Sequence, residues 1–155
     1  MVYINHYILR DTGGLYHTKG KSDPSDMFSG GCDFIDHASG YVRIRHQMAI
    51  NATETVKAKL IFKREDQSQG VAIKVYHTYN GIFNASEFME EMFKNQQKIS
   101  FSGARASHKN GALERAINMV VTTARTMLMH AALICPKDKC STDIWSVVMY
   151  YTVWV

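Results

Sequence analysis

Cysteine is scarce in this chain, and its arrangement excludes more than its number does. Cys32, Cys135 and Cys140 form no Cys-x-x-Cys pair and have no paired histidines beside them, so a zinc site is not indicated and the seven histidines are read singly. The odd count, with no secretory leader in view, fits a reducing intracellular setting. Long runs of one charge are also missing. Eighteen Lys and Arg against fourteen Asp and Glu give a net charge of +4 and a pI near 9.0. That balance favours polyanionic partners mildly, and the scatter of basic residues excludes a tail or a targeting patch. The apolar segment Asp143–Val155 is too short to span a membrane, so no membrane partner is expected.

What is present is core material, with 46% hydrophobic residues in one domain over residues 1–155. Met1–Leu9 reads as a strand and 10–31 as a polar loop or loose hairpin. Cys32–His37 and Tyr41–Met48 read as two strands joined at Ala38-Ser39-Gly40. Two sequons, Asn51-Ala52-Thr53 and Asn84-Ala85-Ser86, are each followed by Glu, the pattern of a helix N-cap with a carboxylate reaching back. They predict helices over 52–66, with Val56, Leu60 and Ile61 inward and the lysines outward, and over 85–95, burying Phe88 and Met92. Val71–Tyr76 and Lys98–Phe101 read as strands. Leu113, Ile117, Val120, Val121, Ala124, Leu128 and Ala131 recur at helical spacing within 111–133, and Met119, Met127 and Met129 read as core filling. Pro136 ends that helix, and Ser141 or Thr142 caps a last one that carries an exposed apolar edge. It runs to the chain end without a cap signal, as in a frame truncated at the C-terminus. The pattern is α/β, with five strands in a mixed sheet and helices on both sides.

Tyr79-Asn80-Gly81, just past a strand, and Asn110-Gly111-Ala112-Leu113-Glu114-Arg115, opening a helix, set Glu114 35 positions after Tyr79. With Gly30-Gly31-Cys32, Phe34-Ile35-Asp36-His37-Ala38-Ser39-Gly40-Tyr41 and Glu87-Phe88, these segments resemble the integrase catalytic cores of copia-type LTR retrotransposons along essentially the whole chain. The resemblance implies a ribonuclease H-like fold, Mg²⁺ or Mn²⁺ as cofactor, DNA as partner, homodimers and a nuclear location. It also implies a polynucleotidyl transferase, in which two metals hold the attacking 3′-hydroxyl and the scissile phosphate.

The family triad of Asp, Asp and Glu falls on Asn5, Tyr79 and Glu114. Only Glu114 keeps its acid. Mg²⁺ wants hard, charged oxygen ligands; Asn5 offers a neutral carbonyl, and Tyr79 a bulky phenol with an ordinary pKa of about 10. The implied activity is therefore expected to be lost. Asp33 and Asp36 are the nearby acids that could replace the missing metal ligands. For Asp33, in an apolar strand, the preferred reading is an unpaired acid in a decaying copy; Asp36 precedes a turn. Asn80 and Gly81 are expected to shape the loop at the nucleic acid, with Lys109, Asn110 and Arg115 contacting phosphates. The alternative function is a non-catalytic descendant that binds nucleic acid or protein through the same surface. A third is a remnant without selected function.

Overall fold

Alternating apolar and polar residues in the first third of the chain build three antiparallel strands. β1 (Val2–Gly13), β2 (Phe28–Asp36) and β3 (Val42–Gln47) pair in succession. Helix α1 (Ala52–Ser68) then carries the chain to β4 (Val75–Thr78), which lies parallel to β1. A single 3-10 turn at Ile82–Asn84 and helix α2 (Ser86–Lys94) lead to β5 (Lys98–Phe101), parallel to β4. Helices α3 (Gly111–Ile134) and α4 (Trp145–Trp154) follow. The strand order is β3-β2-β1-β4-β5, the mixed five-stranded sheet that was expected. This computed structural model describes residues 1–14, 27–103, 111–135 and 144–154.

Two cores sit on opposite faces of the sheet. On one face Val2, Ile4, Cys32, Phe34 and Tyr76 meet Ala58 and Phe62 of α1 and Phe88 and Met92 of α2. On the other, Tyr7 and Ile44 meet Val120 and Ala124 of α3 and Trp145 and Met149 of α4. Strand parity makes this division, since successive side chains point to opposite sides. Gly30 and Gly31 have a packing reason: a Cβ on either would collide with backbone oxygens of the flanking strands, those of Tyr7 and Arg45.

Several boundaries and facings differ from the sequence reading. The hairpin strands extend into 10–31, because β1 and β2 keep pairing through Ile8–Gly30 and again, after a register shift, at Gly13–Phe28. β4 starts four residues later than expected, at Val75, where β5 first offers a partner in Lys98. Asn51 caps α1 as predicted, accepting from the Glu54 amide at 2.9 Å. Asn84 does not cap α2; it ends the 3-10 turn, and Ala85 holds the cap position without a side-chain bond. The inward face of α1 is rotated from the expected one. Thr55, Ala58, Lys59 and Phe62 are buried, whereas Ile61 is 46% exposed. Lys59 tolerates this because its ammonium lies 3.7 Å from Glu91 and near the rings of Tyr76 and Phe88. Met119 and Met129 point outward rather than filling the core. By length and composition Leu113–Ile134 would suffice to cross a membrane; Leu113, Val120 and Ala124 are buried in this fold, and most of the rest of the helix is not. Val147, Tyr151 and Trp154 form the exposed apolar edge anticipated for the last helix. Pro136 and the Ser141 or Thr142 cap lie outside the described residues.

Candidate functional site

Two of the sequence-selected residues, Tyr79 and Glu114, meet, and Asn5 lies on the α3 side of the sheet. Asn5 lies mid-way along β1, with the parity of Tyr7, which packs beneath α3 and α4. Tyr79 follows the last residue of β4, and Glu114 stands exposed in the first turn of α3. The Tyr79 hydroxyl donates to Glu114 Oε1 at 3.1 Å, closing the gap between strand end and helix. The loop can turn there because Gly81 has φ +118, a conformation that favours glycine. Asn80 is exposed beside it, and Arg115 is exposed next to Glu114. Lys109 and Asn110 lie outside the described residues.

The two candidate replacement acids have different fates. Asp33 is paired in register with Asn5, so their side chains share a face. It is fully buried, and neither carboxylate oxygen has a hydrogen-bond partner among the described residues. Burial pushes its pKa up to about 7. Asp36 pairs with Val2, three positions from Asn5 and with the opposite parity. Its carboxylate is engaged by the Ser39 amide and hydroxyl, both at 2.8 Å, which lower its pKa. Asp36 is a turn residue and is not delivered to this site.

These residues do not fit a two-metal centre. Among the described residues no three His, Cys, Asp or Glu side chains converge as a metal cage. Glu114, the one acid among Asn5, Tyr79 and Glu114, is bonded to a phenol instead of facing other carboxylates. No step through a metal follows from this geometry.

Comparison with solved structures places the architecture. The HTLV-2 integrase catalytic core domain in complex with magnesium, in its trimeric form, superposes with a TM-score of 0.62 at 17% identity, over 99% of this chain and 81% of that one. Its dimeric form gives 0.61 at 17%, over 99% and 82%. The simian T-cell lymphotropic virus intasome in complex with PP2A regulatory subunit B56 gamma gives 0.65 at 14%, over 96% and 46%. The fold is that of an integrase catalytic core. No family model and no curated protein matches the sequence.

Within this integrase-type fold, the histidines contribute what reading them singly could not show. His6 stacks on Phe83 and reaches Thr55 Oγ1 at 2.9 Å; burial lowers its pKa to about 4. His46 Nε2 lies 2.7 Å from the Ser146 carbonyl, which can only accept, so Nε2 carries the proton and Nδ1 accepts from the Tyr7 hydroxyl at 2.5 Å. Its pKa also falls to about 4, through burial. His77, two residues before Tyr79 on β4, bonds Ser100 and Ser102. The two-residue spacing was the available signal that His77 shares the face of Tyr79.

Proposed function

We propose that this chain is a copia-type integrase-core descendant that binds DNA across the surface of Asn5, Tyr79 and Glu114 without catalysing strand transfer. The observation that carries this reading is the Tyr79–Glu114 hydrogen bond, which places a neutral phenol against the one remaining triad acid. Two closely spaced divalent ions need several carboxylates to offset their repulsion, and here a phenol and a carboxamide stand in two of those places. Exposed Arg115 and Asn80, with the net charge of +4, support electrostatic contact with phosphates. The same reading carries homodimers and a nuclear location.

The test is strand transfer on oligonucleotide DNA with Mg²⁺ and with Mn²⁺, comparing the unmodified chain with its Asn5→Asp/Tyr79→Asp double variant. The expected result is a silent parent that binds duplex DNA in a salt-sensitive way and shows no Mg²⁺ uptake by calorimetry, beside a variant that takes up the ion. Strand transfer by the parent would overturn the proposal and turn attention to Asp33. Loss of duplex binding in Arg115→Glu would support the placement of DNA; unchanged binding would refute it.

A further inference from the structure

Among the described residues, the α3 side of the sheet is only partly covered. α3 packs over β1 and β2, and α4 over β3. Toward β4 and β5 the same face carries polar and aromatic residues where an apolar layer would otherwise lie. Tyr3, two residues before Asn5, shares the face of Asn5, and His77 is paired in register with Tyr3 on that face. The Tyr3 and His77 rings meet edge to face, with centroids 5.4 Å apart and planes at 84°. On its other side Tyr3 meets the exposed His37 ring, also at 5.4 Å. His77 is locked in place: Nδ1 lies 2.7 Å from Ser100 Oγ and Nε2 3.0 Å from Ser102 Oγ. Beyond Ser100, exposed Lys98 has the same parity on edge strand β5. Asp36, the nearest acid in sequence to His37, is held by its own turn through Ser39.

We propose that Tyr3, His37 and His77 form a stacking platform for the unpaired bases of single-stranded DNA, with Lys98 contacting its backbone. Three features select this occupant. The rings are half-buried or exposed and fixed by neighbours, so little conformational freedom is lost when a base stacks on them. The hydroxyls of Ser100 and Ser102 behind His77 make the surface a poor match for an apolar protein face. Lys98 at one end and Arg115 at the other complement a phosphate chain. Tyr3 is also only two residues from Asn5 on the same face of β1, so a strand leaving the proposed site would run over the platform. This inference rests on the DNA-binding reading above.

Fluorescence anisotropy with a labelled oligothymidine and with a blunt duplex tests it, using the full chain, Tyr3→Leu/His77→Leu and Lys98→Glu. The double variant should lose single-strand affinity by about fivefold or more, the smallest loss expected for a removed stacking ring, with duplex affinity little changed. Lys98→Glu should lower the salt dependence of single-strand binding by about one phosphate contact. Should the double variant fail to fold by circular dichroism, photocrosslinking of the unmodified chain to a 5-bromouracil strand decides, with adducts at Tyr3, His37 or His77 expected. Unchanged single-strand binding in a folded double variant, or adducts confined elsewhere, would overturn the platform. Where single-strand binding is unchanged in the double variant while duplex binding persists and depends on Arg115, the platform alone has failed; if no DNA binds at any salt, the proposed function falls with it.

Discussion

The two faces of the sheet use the same strands differently. Against α1 and α2 the side chains are closely packed and one polar chain is connected: Cys32 to Gln47 at 3.8 Å, Gln47 to Thr55 at 3.4 Å, and Thr55 to His6. The Tyr76 hydroxyl and the Lys59 ammonium, however, are buried there without a described hydrogen-bond partner. Against α3 and α4 the layer is interrupted. Asp33 lies there without a described partner, Asn5 is half-buried, and toward β4 the face turns to tyrosine and histidine. A closed face resists substitution because each atom removed leaves a cavity. An interrupted face tolerates polar residues, and it is where chemistry or recognition can be placed. In this chain it carries Asn5, Tyr79 and Glu114, of which only Glu114 is an acid.

The sharpest way to break this contrast is Phe34→Ala on the closed face. Phe34 is fully buried and stacks on Phe62 at 4.3 Å, so the loss should be about 3–5 kcal/mol by denaturant unfolding. A loss under about 1 kcal/mol would mean that this face is not the better packed one.

Asp33 on the other face should act in the opposite direction. Its folded pKa, about 7, exceeds the ordinary 3.8, so the native state binds the extra proton and stability falls as pH rises from 3.8 to 7. Asp33→Asn should therefore stabilise the chain by a few kcal/mol at pH 8 and have little effect at pH 4. His6 and His46 have the reverse sign. Their pKa values, near 4, lie below the ordinary 6.5, so stability is lost as pH falls from 6.5 to 4. In the parent these trends oppose each other, and removing Asp33 should expose a steeper acid-side loss in a pH series of melting curves. An unchanged acid limb in Asp33→Asn would show that Asp33 ionises freely.

Lys59 offers a smaller test on the closed face. Burial lowers its pKa from 10.5 to about 8, so the unfolded chain binds the extra proton and stability should rise between pH 8 and 10.5. Lys59→Met should remove that rise and be neutral or stabilising by about 1–2 kcal/mol at pH 7, since an apolar side chain of similar length replaces a desolvated charge. A clear destabilisation would instead show that the Glu91 pairing outweighs desolvation. Smallest of all is the pair of former sequons. Asn51→Ala should cost about 1 kcal/mol through the lost cap, whereas Asn84→Ala should stay within about 0.5 kcal/mol. Equal costs would contradict the capping difference between α1 and α2.

Much of this was legible in the sequence, and two of the misses share a cause. The five strands, the four helices, the Asn51 cap and the Tyr79-to-Glu114 separation follow from local periodicity, turn residues and spacing. Two misses came from partners distant in sequence: β4 began where β5 could pair with it, and α1 turned Lys59 inward toward Glu91. The third was local, since the Asn84 amide donates to the Gly81 carbonyl in the 3-10 turn. Of the site, Asn5, Tyr79 and Glu114 could be named because their motifs are contiguous text. That Tyr79 bonds Glu114, and that Asn5 shares register with Asp33, depended on folding.

By itself the sequence determined the order and kind of elements, because propensity and capping are properties of neighbouring residues. Tertiary structure decided which face each residue serves, that Asp33 lies in register with Asn5, and that Tyr79 bonds Glu114. Those outcomes depend on strand register and helix rotation, which are set by contacts between residues far apart in the chain.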